Sequence, residues 1–157
     1  MVKSIDVAKY IINFFHECED LITNLKLQKL LYYVQGWHLG LHGEPIFSDD
    51  FEAWVHGPVQ PEIYRQYQHY RWNPISEDVK NPELDHLLVK HINEVLKEYA
   101  TETAYSLERM THLEDPWIIA RGSIPHFEAS TAQITKESMK NFFARIANEE
   151  DKKDIPN

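Results

Sequence analysis

The sequence predicts a mainly α fold, a single compact domain of about six helices with one small β-hairpin. Three observations lead there. Apolar residues recur at helical spacing along most of the 157 residues. Capping residues and prolines stand at the heads of those runs, and the only strand-like alternation is short and follows Gly43. A chain of this length buries enough surface for an ordinary core without disulfides or metals. Residues 1–148 are assigned to the domain. Residues 149–157, charged and ending Ile-Pro-Asn, are assigned to a flexible C-terminal tail.

The first helix is expected from Ser4 as N-cap, with Asp6 in the first turn and Ile5, Ala8, Ile11, Ile12 and Phe15 on one face. Thr23 caps the second, with Ile22 and Leu27 as its hydrophobic staple. Leu27, Leu30, Leu31, Val34 and His38 form its stripe, and Trp37 lies at the margin. Gly36 in mid-helix costs about 1 kcal/mol relative to alanine and suggests the close approach of another backbone. Gly40 and Gly43 end this helix. Pro45-Ile46-Phe47 and Phe51 to Val55 are expected to form the hairpin around Ser48-Asp49-Asp50. Gly57-Pro58 makes a corner, and Pro61 opens a helix carrying Ile63, Tyr64, Tyr67 and Tyr70, stopped by Asn73-Pro74. After a polar loop at 75–80, Asn81-Pro82-Glu83 starts a regular helix through Leu84, Leu87, Leu88, His91, Ile92, Val95, Leu96 and Tyr99. Thr101 or Thr103 begins a shorter helix with Ala104, Leu107 and Met110. Asp115-Pro116-Trp117 starts a brief one ending near Arg121, residues 122–132 form a loop, and Thr135 caps the last helix, stapled by Ile134 and Met139.

The net charge is −9, with nine acids against six bases over residues 1–74 and sixteen against ten beyond. No lysine and arginine cluster forms a phosphate-tracking stripe, which argues against direct nucleic-acid binding. The single cysteine, Cys18, excludes an internal disulfide and suits a reducing compartment. The amino-terminal stretch reads as a structural helix, not a signal peptide, and no apolar run approaches the ~18 residues of a membrane span. The expectation is a soluble cytoplasmic protein with no membrane partner.

Candidate chemistry is sparse. His38 and His42 have the i, i+4 spacing of two metal ligands, with Asp49 or Asp50 as a third, and a metal-dependent hydrolase using His38, His42 and His56 is one reading. The bland reading, half-buried histidines near a failing helix end, is preferred. The HECED run lacks the second histidine of a zincin motif. A general acid–base site can be drawn around His56, His112 or His126 with Glu114 or Asp115. Cys18 sits among Glu17, Glu19 and Asp20, which disfavour a thiolate. No serine occupies a glycine-flanked elbow. The chain is therefore expected not to be an enzyme, with no catalytic residue, cofactor or metal. Trp37 and Trp54 are expected in the core. Tyr67, Tyr70 and Trp72, with the 75–80 loop, are taken as the partner-binding surface, since aromatics beside a polar rim suit an interface. Trp54 and the His56-Gly57-Pro58 corner are expected to pin the hairpin against the second helix.

The strings KLQKLLYYVQGW, FEAWVHGPVQPEIYRQY and THLEDPW occur in that order. They resemble the Panacea domain of SocA-like antitoxins, also seen in phage-associated GepA-like proteins, over nearly the whole chain from Ile5 to Ile146. Lys26 to Leu31, including Lys29, take the first motif's places. Ala53, Trp54, Gly57, Pro58 and Val59 take the second's around His56, with Pro61 and Tyr64 continuing it. His112, Pro116 and Trp117 take the third's. The resemblance implies an antitoxin that binds and silences a cognate protein toxin encoded by a neighbouring gene. One family member resembles a proteolytic adaptor, which would add a protease as partner. The family supplies no catalytic residue to carry over, and its motif residues are expected to be structural. A phage-associated modulator binding a host protein is the alternative that shares the same binding physics.

Overall fold

The structure, a computed structural model, describes residues 1–153. Seven α-helices and a small three-stranded antiparallel sheet follow in the order α1 (Ser4–Glu17), α2 (Asn24–His42), β1 (Phe51–Trp54), β2 (Gly57–Val59), α3 (Pro61–Tyr67), a 3₁₀ turn at Gln68–Tyr70, α4 (His86–Tyr99), α5 (Ala104–His112), α6 (Asp115–Arg121), β3 (Gln133–Ile134) and α7 (Lys136–Lys153). The mainly α expectation holds, with one helix more than anticipated. Among the described residues, no helix is long and apolar enough to cross a membrane.

α2 is the axis of the molecule. Residues Leu27 to Gly36 are all buried, so this helix has no solvent face over its middle turns. α1, α4, α5, α7 and β2 all pack on it. Thr23 caps it as expected, its Oγ1 accepting from the Lys26 amide at 3.2 Å, and both staple residues, Ile22 and Leu27, are buried. Gly36 lies against the Phe143 ring of α7, and Gly40 lies against the Phe143–Ala144 backbone. Gly40 thus sets an α2–α7 crossing and does not end the helix. Gly43, at φ +77°, is the C-cap.

Several boundaries differ from the sequence reading. The hairpin is not 45–55 around 48–50. β1 pairs with β2 through Glu52–Val59, Ala53–Pro58 and Trp54–Gly57, turning at Val55-His56, and β3 joins the other edge of β1 through Phe51–Ile134. The backbone at 46–47 is occupied otherwise. The Gln35 side chain accepts from the Ile46 amide and donates to the Phe47 carbonyl, each at 2.8 Å, while the Val2 amide bonds Ile46 O. Proline is tolerated at Pro58 because β2 is an edge strand.

Ser4 is the first helical residue and Lys3 the N-cap, without a side-chain bond. α3 ends at Tyr67, and the 3₁₀ turn after it stops at Arg71, whose φ is +56°, before Asn73-Pro74 is reached. α4 is capped by Asp85 rather than Asn81, its carboxylate accepting from the Leu87 amide at 3.1 Å, and Leu87 is turned to solvent. α6 is capped by Glu114, and Asp115 is already helical. Thr103 and Thr135 cap α5 and α7 as expected. α7 continues through the first residues of the expected tail to Lys153, and residues 154–157 lie outside the described region.

Candidate functional site

The three sequence motifs converge where α2, the hairpin and the α5–α6 corner meet. Lys29 is fully buried in α2, and its Nζ donates to the Pro58 carbonyl at 3.2 Å. Its methylenes run directly beneath Gly57. A Cβ at Gly57 would lie 2.7 Å from Lys29 Cε and 2.8 Å from Thr111 Oγ1, and φ there is +104°, so both space and backbone demand glycine. Burial holds the Lys29 ammonium down to about 7, against the opposing pull of Glu108.

The third motif, together with Arg121 four residues beyond it, reads the backbone at the end of β1 and its turn. Arg121 Nη1 donates to Ala53 O at 2.8 Å, Trp117 Nε1 to Trp54 O at 2.8 Å, and His112 Nε2 lies 2.8 Å from Val55 O. The carbonyls of the last two β1 residues and of Val55 in the turn are thus satisfied by side chains from α5 and α6. The His112 and Trp117 rings stack at 4.2 Å, and the Arg121 guanidinium lies 4.8 Å from the Trp117 centroid. Arg121 Nη2 also donates to Pro125 O and Glu128 O, tying down the loop after α6. Burial lowers the His112 pKa, so the ring is a neutral Nε2–H donor to Val55 at neutral pH.

Beside this corner, Glu114 accepts from the Tyr33 hydroxyl at 3.0 and 3.1 Å and from the Tyr32 hydroxyl at 3.3 Å. Burial pushes its carboxyl up to about 7, although both tyrosine bonds pull the other way. Gln28 completes the network. Its Oε1 accepts from the Gln60 amide at 2.8 Å and its Nε2 donates to Asn24 Oδ1, while Asn24 reaches Tyr64 O. Polar side chains of α2 therefore latch the hairpin, α3, the 46–47 loop and the head of α6 to one helix.

The motif residues fall largely inside. Pro116 and Trp117 are buried in α6, as are Gly57 and Pro58 in β2. The hairpin is pinned by Lys29 and Trp117, not by Trp54. The Trp54 indole is half-buried, packs edge-on to Tyr64 at 4.9 Å and donates to Glu52. His56 is exposed at the turn and pairs with Glu108 at 2.6 Å. Trp37 is half-buried too, its Nε1 donating to the Tyr99 hydroxyl at 2.9 Å.

The residues expected to contact a partner separate. Tyr67 is 1% exposed. It stands one turn after Ile63, on the inward face of α3, and so cannot be part of a surface patch. Tyr70 is half-buried and its hydroxyl is engaged by the Glu77 carboxylate and amide. Trp72 alone is open, at 77%. The 75–80 loop is anchored at its start, where Ile75 is buried and its amide bonds Ile22 O.

His38 and His42 gather with His91, the rings 4.7 to 6.1 Å apart, and His56 is not among them. His38 Nδ1 is held by Glu44 O, and His91 Nε2 by Val34 O. Asp50, expected as a third ligand, pairs with Lys136 at 2.5 Å. Among the described residues, no set of three or more His, Cys, Asp or Glu side chains is arranged to hold a metal ion.

Residues 27–118, more than half of the chain, match the family described as Antitoxin SocA-like, Panacea domain, and this segment carries the three motifs except Lys26 at the head of the first. The chain belongs to that family. It is also similar to Antitoxin SocA of Caulobacter vibrioides (strain NA1000 / CB15N), with 35% identity over 115 residues. That match covers 64% of this chain and 61% of the relative, so the chain spans less than two thirds of that protein's length. No solved structure matches the chain. In this Panacea-domain chain the matched motifs build the α2–hairpin–α6 corner. Arg121, beyond the motifs, and Gln35, which holds the 46–47 backbone, carry no role in the sequence reading. Gln28 and Glu114 stand inside the quoted strings without the bonds they make here. The available signal was the polar residues recurring within the otherwise apolar α2 run.

Proposed function

We propose that this chain is an antitoxin that neutralises a separate protein toxin by direct, non-catalytic association. Membership of the SocA-like antitoxin family, over a segment that holds the three motifs except Lys26, carries the reading. The geometry supports a binding role. Lys29 Nζ, His112 Nε2, Trp117 Nε1 and both terminal nitrogens of Arg121 bond the chain's own carbonyls. The motifs therefore make a rigid scaffold and leave recognition to the less regular surface around it.

The toxin is the product of a neighbouring gene. The test is co-expression of this chain with the adjacent open reading frame in a host where that frame alone halts growth. Restored growth, with a complex that survives size-exclusion chromatography, is the expected result. A frame that stays toxic, or rescue without a complex, sinks direct association. Rescue that requires a particular host protease, with toxin levels falling, assigns the proteolytic-adaptor form in place of simple occlusion.

A further inference from the structure

α4 and α7 both lie on α2 and touch each other little. Between them runs an open groove of about 520 Å³. Between its rims it is lined by Trp37 and Leu41 from α2, His91, Val95 and Tyr99 from α4, and Ala147 from α7, a largely aromatic and aliphatic set with one imidazole. Its rims are acidic, with Glu94 and Glu98 one turn apart on α4 and Glu150 and Asp151 on α7. All four carboxylates are exposed, as is Leu41. Among the described residues, no lysine or arginine lines it. Arg145 pairs with Asp115 at 3.1 Å and Lys26 with Ala100 O at 2.7 Å, while the exposed Lys90, Lys97 and Lys152 neighbour the rims in sequence without lining the groove. The Tyr99 hydroxyl in the groove is pushed above its ordinary range chiefly by burial, against the Trp37 hydrogen bond, with smaller contributions from Glu114 and from the rim carboxylates Glu98 and Glu150.

We infer that this groove binds a basic amphipathic segment of the neutralised toxin, an apolar side chain seated between Trp37, Leu41 and Val95 and lysines or arginines on the acidic rims. The inference rests on the antitoxin reading above. An apolar slot flanked by two rows of one charge matches a helix or extended segment with an apolar anchor and flanking cations. The same charge repels nucleic acid and anionic membrane surfaces. Two rows of carboxylates over a largely aromatic and aliphatic lining also fix the register of a bound segment, which a flat acidic surface would not. Trp72 lies on a different element, after α3, and is the competing surface.

Two measurements decide it. In the first, a fluorescent amphipathic Leu/Lys peptide of about 14 residues, roughly four helical turns, is titrated against the full chain by anisotropy, beside a Leu/Glu peptide of the same pattern. The Leu/Lys peptide is expected to bind and the Leu/Glu peptide not. Affinity should fall about tenfold in Glu94→Gln/Glu98→Gln and in Leu41→Ser. It should hold within about twofold in Glu17→Gln/Glu83→Gln, which changes net charge equally, and in Trp72→Ala. Equal weakening by both double variants means general charge attraction and overturns the groove. No binding to the wild-type chain also overturns it, as does a self-associated dimer that the groove substitutions dissolve. In the second, Glu94→Lys/Glu98→Lys is co-expressed with the growth-halting frame, and neutralisation should be lost while Trp72→Ala retains it. Undiminished rescue by the groove variant overturns the inference and leaves the antitoxin reading standing. If no adjacent frame is toxic, the antitoxin reading fails, and the peptide titration still decides whether the groove takes a basic segment.

Discussion

Two buried ionisable groups, Lys29 and Glu114, contribute opposite slopes to the pH dependence of stability. The Glu114 carboxyl titrates near 7 in the folded chain against an ordinary 4.5. Below about pH 4.5 both states hold the proton and no penalty exists. Between 4.5 and 7 the unfolded chain ionises while the folded chain keeps its proton, so stability falls, by roughly 3 kcal/mol in all. Lys29 runs the other way, held near 7 against an ordinary 10.5. Below pH 7 both states are charged and the folded state carries the whole desolvation cost. From 7 to 10.5 the folded state sheds its proton first, so stability rises. The summed contribution of these two groups is least favourable near neutrality, while His91 and His112, both lowered by burial from an ordinary 6.5, oppose the Glu114 fall on the acid side. In denaturant titrations, Glu114→Gln should flatten the fall between pH 5 and 7, and Lys29→Met the rise between pH 7 and 10. A Glu114→Gln profile still falling as steeply as wild type would show that the carboxyl is already ionised at its site.

At the scale of elements, the crossing of α2 and α7 sets the packing. Gly→Ala inside a helix usually gains about 1 kcal/mol. At Gly40 the new Cβ would stand 2.6 Å from Phe143 Cβ and 2.8 Å from the Ala144 amide nitrogen, and backbone cannot step aside as a side-chain tip can. Gly40→Ala is therefore expected to destabilise by about 1–3 kcal/mol, read as a lowered urea midpoint. A stabilised Gly40→Ala chain would mean that the two helices are not this close. The completely buried Trp117 of α6, which bonds the hairpin, should cost about 3–5 kcal/mol on substitution by alanine, and the half-buried Trp54 of β1 markedly less. The helices were legible wherever the cap and the apolar stripe agreed, as at Thr23, Thr103 and Thr135. They were misplaced where a proline cap signal stood in an extended segment, as at Asn81-Pro82, with Asp85 better placed to bond the first free amide. The hairpin was shifted because the backbone at 46–47 is held by Gln35, a long-range bond that local alternation does not encode. The corner's motifs were legible as strings, but their roles were not. Which carbonyl Lys29, Trp117 or Arg121 satisfies depends on how α2, α6 and β1 meet.

At the scale of the molecule, the family-matched segment 27–118 is not expected to be a folding unit. The core that surrounds α2 is drawn from both sides of it in sequence. Val7, Ala8, Ile11, Ile12 and Phe15 of α1 are buried, and so are Ile134, Met139 and Phe143 near and within α7. Phe143 alone packs against the rings of Tyr32, Tyr33 and Trp37. Without α1 and α7, two flanks of an axis buried on every side over its middle would face water, along with the buried polar atoms of Gln28, Lys29 and Gln35. The apolar loss is compounded by those groups, whose bonding geometry depends on the closed packing. The full chain should unfold in one cooperative step, with circular dichroism and tryptophan fluorescence transitions coinciding. The isolated 27–118 fragment should show little helix and no thermal transition. A fragment that melts cooperatively near the temperature of the full chain would instead make α1 and α7 additions to a self-sufficient Panacea core, and would move the α2–α7 crossing from a condition of folding to an ornament of it.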